Sequence, residues 1–189
     1  MDTRFECVDN GRVEWFDLDL ADVIALCQRW IQSETSRYHT LATSVFEDSW
    51  LEEVRGLKSR SFMFVAEGVL PYFEEEQAKS LCLELRQQFP GCELVCDAHT
   101  PFAIWVDNLQ LAFAKVKARL HWSIKDGKDV ESWGEGIHLL GEWNYYEEDE
   151  SREIAKKISR IDNSEIKTPF AQNRIEYILA KIAEVVRRE

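Results

Sequence analysis

The sequence predicts an open, mostly parallel α/β sheet with helices on both faces and an antiparallel strand at its edge. Two observations predict this fold class. Short, continuously apolar runs that end in acidic residues alternate with segments whose apolar residues recur at helical spacing. In the middle of the chain, a strand, a helix and a second strand follow one another at the spacing of a right-handed parallel crossover. Ligands of such sheets bind beyond the carboxyl ends of the strands, where a site is therefore expected.

The first third of the chain predicts two strands and two helices. Residues 13–19 are an apolar run that closes with Asp17 and Asp19, and they are predicted to be a buried strand. From Leu20 to Ile31 the apolar residues fall on one side at helical spacing, which predicts a helix. The apolar stretch 41–46 and the acidic residues after it are interpreted as a strand, a loop and a brief helix.

The middle of the chain carries the clearest pattern. Residues 61–68 contain five consecutive apolar positions, as expected of a central strand covered on both faces. Residues 74–89 predict a helix with one apolar stripe, made of Ala78, Leu81, Cys82, Leu85 and Phe89. The dipeptide Pro90-Gly91 ends this helix, and residues 92–98 form another predicted buried strand that closes near Asp97.

The remaining segments extend the alternation. Residues 102–120 predict a helix whose apolar face consists of Ala103, Val106, Leu109, Phe113 and Val116. Residues 123–136 are rich in glycine and aspartate and are interpreted as a loop, while residues 137–146 predict a strand at the sheet edge. Helices are expected from about Ser151 and, at the end, through the apolar positions Ile175, Ile178, Leu179, Ile182, Val185 and Val186.

Composition excludes several classes of partner. The 189 residues carry a formal net charge of -12, which disfavours binding to nucleic acid or an anionic membrane, because phosphate requires a cationic surface. The five cysteines show neither zinc-site spacing nor a secreted disulfide framework, so a reducing cytoplasm is expected. No export signal or membrane-spanning run is visible. The acidic residues 147–150 are interpreted as a solvated helix start, and no metal site is expected.

An acid at a strand end is the first candidate for binding chemistry. In nucleotide-binding sheets such an acid accepts hydrogen bonds from ribose hydroxyls. Asp19 has this position, but it also precedes a helix and fits the alternative role of an N-cap. The other candidates at strand ends are Asp17, Ser44, Val45, Glu67, Gly68 and Asp97.

Four motifs in order discriminate between these alternatives. They resemble the leucine carboxyl methyltransferase superfamily, including its bacterial branch similar to tetracenomycin polyketide O-methyltransferases. The most specific is the EGVLPY segment, which begins at Glu67. The resemblance implies a Rossmann-like class I fold, S-adenosylmethionine as cofactor, and methyl transfer to a carboxylate or hydroxyl of a small, polyketide-like molecule. The motifs are DTRF at 2–5, VEWFDLDL at 13–20, RYHTLATSVFEDSW at 37–50 and FMFVAEGVLPYFEEEQ at 62–77.

The resemblance also implies roles for individual residues. Asp19 is similar to the acid that binds the cofactor ribose, and Ser44 and Val45 are similar to residues against the adenine. Glu67, with Gly68 after it, matches the residues beside the methionine part or the reacting methyl group. Asp2 matches the family's aspartate after its glycine loop, and Tyr72 is expected to line the substrate side.

Histidine chemistry is a separate hypothesis. The four histidines form no convincing catalytic triad with a serine or cysteine, and direct methyl transfer needs none. His99 follows the strand that contains Asp97, so it is a candidate to orient or deprotonate an acceptor hydroxyl. The alternative is a partly exposed loop histidine without a catalytic role.

The start of the chain differs from the family. Family members carry a helical lid and a strand with a GxGx loop ahead of DTRF, whereas Met1 stands directly before that motif here. Residues 1–189 are therefore expected to be a single, partial methyltransferase domain that lacks the first strand and the N-terminal helices. One alternative is a non-catalytic remnant or interaction module that self-associates as a homo-oligomer. Another is a nicotinamide-dependent oxidoreductase, which the EGVLPY segment disfavours.

Overall fold

The structure is a computed structural model that describes residues 4–30, 35–57, 61–144 and 178–183. The chain divides into two compact units, Met1–Lys58 and Ser59–Glu189. No helix in the described ranges is long and apolar enough to cross a membrane.

The described residues of the first unit form two parallel strands and three helices. Its elements are α1 (Arg4–Val8), β1 (Trp15–Asp19), α2 (Ala21–Cys27), β2 (Tyr38–Ala42) and α3 (Asp48–Arg55). β1 and β2 pair in parallel, so their carboxyl-terminal residues Asp19 and Ala42 lie side by side. This pairing confirms that two strands are present, but β1 is half-buried where the sequence predicted full burial. β2 begins at Tyr38 and ends at Ala42, so it overlaps the predicted strand in the stretch 41–46 only at its end. α2 ends at Cys27, before the predicted helix end, and Trp30 beyond it is exposed.

An aromatic cluster joins the first helix to both strands of this unit. The buried Phe5 ring lies 6.2 Å from the ring of Trp15 and 5.4 Å from that of Tyr38, centroid to centroid. The guanidinium carbon of Arg37 lies 5.9 Å from the Phe5 centroid and pairs with Asp9. These contacts fix the amino end of the two-stranded sheet and leave its carboxyl end exposed to solvent at Asp19 and Ala42.

In the second unit, the described residues form a four-stranded sheet. Its strands are β3 (Met63–Ala66), β4 (Glu93–Ala98), β5 (His138–Asn144) and β6 (Ile178–Ala183), in the order β3-β4-β6-β5. β3 and β4 pair in parallel, whereas β6 pairs antiparallel with both β4 and β5. The parallel crossover and the edge position of β5 among these four strands agree with the sequence prediction.

Helix α4 (Glu75–Gln88) forms the crossover between β3 and β4. Glu74 and Gln77 form a capping box that satisfies backbone N–H groups at its start. All members of the predicted apolar stripe are buried, and the Phe89 ring packs on those of Phe62 and Phe64. The strand β3 is covered on this face only: Met63 is 61% exposed and Val65 is also exposed, so the prediction of burial on both faces was wrong.

Helix α5 (Pro101–Phe113) ends seven residues before its predicted end at Leu120. Lys115 adopts a positive φ of 57°, which cannot continue a right-handed helix. The predicted apolar face was also wrong in part, because Ala103 is buried whereas Leu109, Val116 and the 80% exposed Phe113 are not. Residues 114–126 are a connector that leads to a 3-10 helix, Gly127–Trp133, in the segment predicted to be a loop.

The end of the chain corrects the sequence prediction further. Residues Ile178–Ala183 form strand β6, where the apolar spacing predicted a helix. The segment lies between β4 and β5 and receives backbone partners on both sides, such as Leu94 and Leu139 opposite Ile182. A helix would leave the β4 edge unpaired, so sheet pairing overrides the helical spacing. The helix expected from Ser151 lies outside the described residues.

Candidate functional site

In the first unit, the candidate residues lie together at the carboxyl end of the β1-β2 pair. Parallel register places Asp19 opposite Ala42, and the Asp19 carbonyl accepts a hydrogen bond from the Thr43 N–H at 3.1 Å. Ser44 and Val45 follow directly. The two predicted adenosine-binding positions are therefore neighbours through backbone pairing, as parallel strands require.

Asp17 and Asp19 differ in what their carboxylates bind. Asp17 accepts from the indole N–H of Trp15 at 2.6 Å and from the hydroxyl of Tyr38, so both of its oxygens support the aromatic cluster. The exposed Asp19 uses Oδ1 to accept from the Leu20 N–H at 2.8 Å, while Oδ2 has no hydrogen-bond partner within the described ranges. The N-cap residue of α2 is Leu20, so Asp19 does not take the alternative capping role. Asp19 thus offers an acceptor oxygen at the strand end.

The turn after β2 is held by two side chains. Ser44 Oγ accepts from the Phe46 N–H at 3.3 Å, and the indole N–H of the buried Trp50 donates to the Val45 carbonyl at 3.0 Å. Both Ser44 and Val45 are half-buried. These two hydrogen bonds fix the turn, which places the half-buried Val45 beside the end of β2.

In the second unit, Glu67 and Gly68 form the turn that leaves β3. Both are exposed, and Gly68 has a positive φ of 65°, a conformation that favours glycine. The Gly68 N–H donates to Asp97 Oδ1 at 2.9 Å, across the parallel β3-β4 pair. Asp97, which the sequence placed at a strand end, therefore fixes the turn that carries Glu67.

His99 lies just beyond β4, and two carboxylates flank its ring. Its Nδ1 is 2.9 Å from Asp107 Oδ2 on α5, and its Nε2 is 3.8 Å from Asp97 Oδ2. The shorter distance is a hydrogen bond, in which Nδ1–H donates to the Asp107 carboxylate; the longer one is an electrostatic contact. The backbone carbonyl of His99 accepts from the N–H of the buried Ile124 at 2.9 Å. The imidazole is thus oriented from both its ring and its backbone.

The environment of His99 raises the pKa of its imidazole above the usual 6.5. The pairing with Asp97 and then that with Asp107 raise this pKa, and partial burial opposes them. The carboxylates prevail over burial because a nearby opposite charge stabilises the imidazolium directly. A strand-end histidine with two acids is a group that can accept a proton.

The connector after α5 ties the EGVLPY segment to this cluster. Asn108 donates to the Leu120 carbonyl and accepts from the Leu120 N–H, both at 2.8 Å. The N–H groups of His121 and Trp122 donate to the carbonyl of the buried Pro71 at 2.7 and 3.2 Å. The connector therefore joins the turn after β3 to α5 and to the backbone of His99.

Tyr72, the predicted substrate-side residue, lies apart from the hydrogen bonds described above. Tyr72 is half-exposed at the end of the 3-10 helix Leu70–Tyr72, and its hydroxyl has no hydrogen bond within the described ranges. The structure does not join it to His99 by a hydrogen bond.

The buried cysteines are a separate group. Burial raises the pKa of the Cys82 thiol to about 12 and that of the Cys96 thiol well above its usual value. Neither thiol is therefore suited to act as a nucleophile.

Sequence reasoning missed Asp107 and Asn108. Both lie inside a helix pattern, where a polar residue gives no signal of the partner it meets eight or twelve residues away. Asp2 and the acidic run at 147–150 lie outside the described residues. Within those residues, no group of three or more histidine, cysteine or acidic side chains is arranged to hold a metal ion.

Comparison with known proteins gives the decisive similarity. Over 132 residues, 70% of the chain, the sequence is 27% identical to the tetracenomycin polyketide synthesis O-methyltransferase TcmP of Streptomyces glaucescens. The chain is a relative of this O-methyltransferase. This relationship confirms the resemblance that the four motifs predict. The matched region covers 48% of TcmP, so the chain spans about half the length of this relative. No family model matches the chain.

Solved structures give the same fold. A DUF574 family protein from Streptomyces avermitilis matches 90% of the chain and 64% of its own length, with a TM-score of 0.54 and 11% identity. An S-adenosylmethionine-dependent methyltransferase from Anabaena variabilis matches 96% of the chain and 81% of its own length, with a TM-score of 0.53 and 11% identity. LepI, solved in complex with S-adenosylmethionine, matches 96% of the chain and 38% of its own length at a TM-score of 0.51 and 8% identity. The chain therefore has the α/β fold of these methyltransferases, as the sequence predicted.

Proposed function

We propose that the chain takes part in S-adenosylmethionine-dependent O-methyl transfer to a small, polyketide-like molecule. The observation that carries this proposal is the relationship to TcmP over 70% of the chain. The acceptor group is a carboxylate or a hydroxyl. Since an O-methyl transfer is a direct displacement at carbon, the protein mainly supplies alignment and a site that excludes water.

The residues of the chain fit parts of this cofactor. Asp19 Oδ2, which has no hydrogen-bond partner within the described ranges, would accept from a ribose hydroxyl. Ser44 and Val45, held in their turn by Trp50, would lie against the adenine. We assign Glu67 and Gly68 to the methionine part or the methyl group, Asp2 to the cofactor side and Tyr72 to the substrate side, as the family resemblance implies. When bound, the cofactor supplies an electrophilic methyl group on a sulfonium.

Calorimetric titration of the chain with S-adenosylmethionine and S-adenosylhomocysteine tests this proposal. We expect binding by the wild type and a loss of roughly 10- to 100-fold in affinity for Asp19→Ala, because hydrogen bonds to a charged acceptor contribute about 1.5–3 kcal/mol. Asp22→Ala is the matched control, since Asp22 also accepts from the next N–H in the chain, at 3.0 Å, but inside α2. Glu67→Ala is expected to weaken binding similarly, with the exposed Glu76→Ala as its control.

Two results would count against parts of this proposal. Wild-type binding that neither Asp19→Ala nor Glu67→Ala weakens would refute the residue assignments. A chain that binds no cofactor and elutes as an oligomer in size-exclusion chromatography with light scattering would instead favour the self-associating module.

A further inference from the structure

The polar cluster of His99, Asp107 and Asp97 contains no residue that the proposed function assigns to the cofactor. Its three side chains are accessible to a small molecule, with 21%, 22% and 17% of their surface exposed. Asp97 is on β4, Asp107 is on α5, and His99 lies between these two elements with its imidazole flanked by both carboxylates. Such an arrangement calls for a role in proton chemistry rather than in the core.

The hydrogen bond to Asp107 determines which nitrogen of His99 carries the proton. Because Nδ1–H donates to the Asp107 carboxylate at 2.9 Å, the lone pair of the neutral ring lies on Nε2. A carboxylate that orients a histidine in this way also stabilises the imidazolium that forms when Nε2 takes a proton. The Asp97 carboxylate, 3.8 Å from Nε2, adds to that stabilisation.

The position of the cluster relates it to the methyl group. The Oδ1 atom of Asp97 accepts from the Gly68 N–H at 2.9 Å, while its Oδ2 atom faces His99 Nε2. The Asp97 carboxylate therefore lies between His99 and the turn that begins with Glu67. The proposed function assigns that turn to the methionine part or the methyl group. His99 therefore lies at the carboxyl end of the β3-β4 pair, beside the turn to which the proposed function assigns the methyl group.

The charge of the cluster selects between the two acceptor classes. A carboxylate acceptor is already ionised at neutral pH and needs no base, and Asp97 and Asp107 would repel it. A phenolic or similarly acidic hydroxyl is neutral, is not repelled, and must lose a proton during transfer. The pair of acids around one histidine thus favours a hydroxyl.

We propose that His99 is the general base for a hydroxyl-bearing acceptor, with Asp107 as its positioning residue, an inference that rests on the proposed function. The acceptor oxygen forms a bond to the methyl carbon, and the carbon–sulfur bond breaks with its electron pair going to sulfur. The hydroxyl proton goes to His99 Nε2 and afterwards to water. Charge balances, since the sulfonium becomes a neutral thioether and one proton leaves.

Methyl transfer to two probes with the same ring system, 1-naphthol and 1-naphthoic acid, tests the acceptor class. We expect transfer to the naphthol and little to the acid. At pH 7, His99→Gln should lower the naphthol rate by roughly 10²- to 10⁴-fold while calorimetric cofactor binding stays unchanged. The rate should recover near pH 10, where a phenol ionises without help. His138→Gln, on the exposed end of β5, is the control and should keep the wild-type rate.

Asp107→Asn supplies a readout that does not depend on activity. In ¹⁵N-histidine NMR spectra, the wild type should show His99 with its neutral-form proton on Nδ1. The variant should lose that preference, and its pKa should fall because one carboxylate is gone. The rising limb of its naphthol pH–rate profile should then move to lower pH, which a merely structural role would not produce.

The outcomes separate this inference from the proposed function. Transfer to naphthoic acid but not to naphthol, or an unchanged naphthol rate for His99→Gln at pH 7, would refute the base while leaving methyl transfer intact. A wild-type chain that binds no cofactor and methylates neither probe would overturn the proposed function, and this inference with it.

Discussion

The protonation of His99 links the candidate site to the stability of the fold. Its pKa is raised in the folded state by pairing with Asp97 and Asp107. The folded chain therefore binds this proton more tightly than the unfolded chain does. The stabilisation is fully present below the unfolded pKa of about 6.5 and is lost as the pH rises through the higher folded value.

We therefore expect the stability advantage of the wild type over His99→Gln to be larger near pH 5.5 than near pH 9. Urea denaturation at several pH values, followed by circular dichroism, measures this difference in unfolding free energy. In the Asp107→Asn background the pH dependence should shrink, since one of the two carboxylates that raise the pKa is removed. A wild-type advantage that grows with pH would contradict the paired imidazolium.

At the same scale, sequence and structure agree on some residues for identifiable reasons. Asp97 and Gly68 were predictable because parallel strands bring their carboxyl ends together. The contact between His99 and Asp107 was not, because it depends on the angle at which α5 leaves β4. Similarly, only the structure distinguishes Asp17, which supports Trp15 and Tyr38, from Asp19.

At the scale of elements, the sequence predicts those helices and strands whose conformation depends on neighbouring residues in the chain. It misses those that depend on distant partners. α4 was predicted with its full buried stripe because the helical spacing and the Pro-Gly stop agree, and the structure adds a capping box at its start. The end of α5 was missed because the Asn108 amide binds the backbone of Leu120, twelve residues later. β6 was missed because its partners β4 and β5 decide its conformation.

Substitution of Asn108 tests whether its hydrogen bonds to Leu120 hold the connector after α5. Asn108→Ala removes two hydrogen bonds and leaves the N–H and carbonyl of the buried Leu120 without their side-chain partner. We expect a loss of about 2 kcal/mol in unfolding free energy, at roughly 1 kcal/mol for each bond. Gln110→Ala, an exposed change on the same helix, should cost less than about 0.5 kcal/mol.

Thermal and urea denaturation of both variants measure the difference. Asn108→Asp keeps the acceptor for the Leu120 N–H but lacks the donor, so its stability should fall between that of the wild type and that of Asn108→Ala. Equal stabilities for Asn108→Ala and Gln110→Ala would mean that the connector is held by its apolar contacts, such as those of Trp122 and Ile124, rather than by this amide.

At the scale of the whole molecule, charge is the property that the sequence alone determines. A net charge of -12 makes the folded chain repel itself and other polyanions, which is the reason that no nucleic-acid partner is expected. It also suits a neutral acceptor better than an anionic one. The net charge of the chain and the local charges of Asp97 and Asp107 therefore both favour a neutral acceptor over an anionic one.

Self-repulsion makes a prediction about salt. Raising NaCl from about 0.01 to about 0.15 M shortens the screening length from roughly 30 to roughly 8 Å, so repulsion between distant acids weakens. We expect the melting temperature to rise over this range in differential scanning calorimetry, and sorbitol at equal osmolality should not reproduce the full rise. Salt has an opposing effect as well, because it also screens favourable ion pairs. One such pair joins Arg37 to Asp9, and its hydrogen bond lowers the pKa of Asp9 to about 2. Because such exposed pairs contribute little, the net repulsion should prevail. A melting temperature that falls with salt would show instead that ion pairs outweigh the excess negative charge.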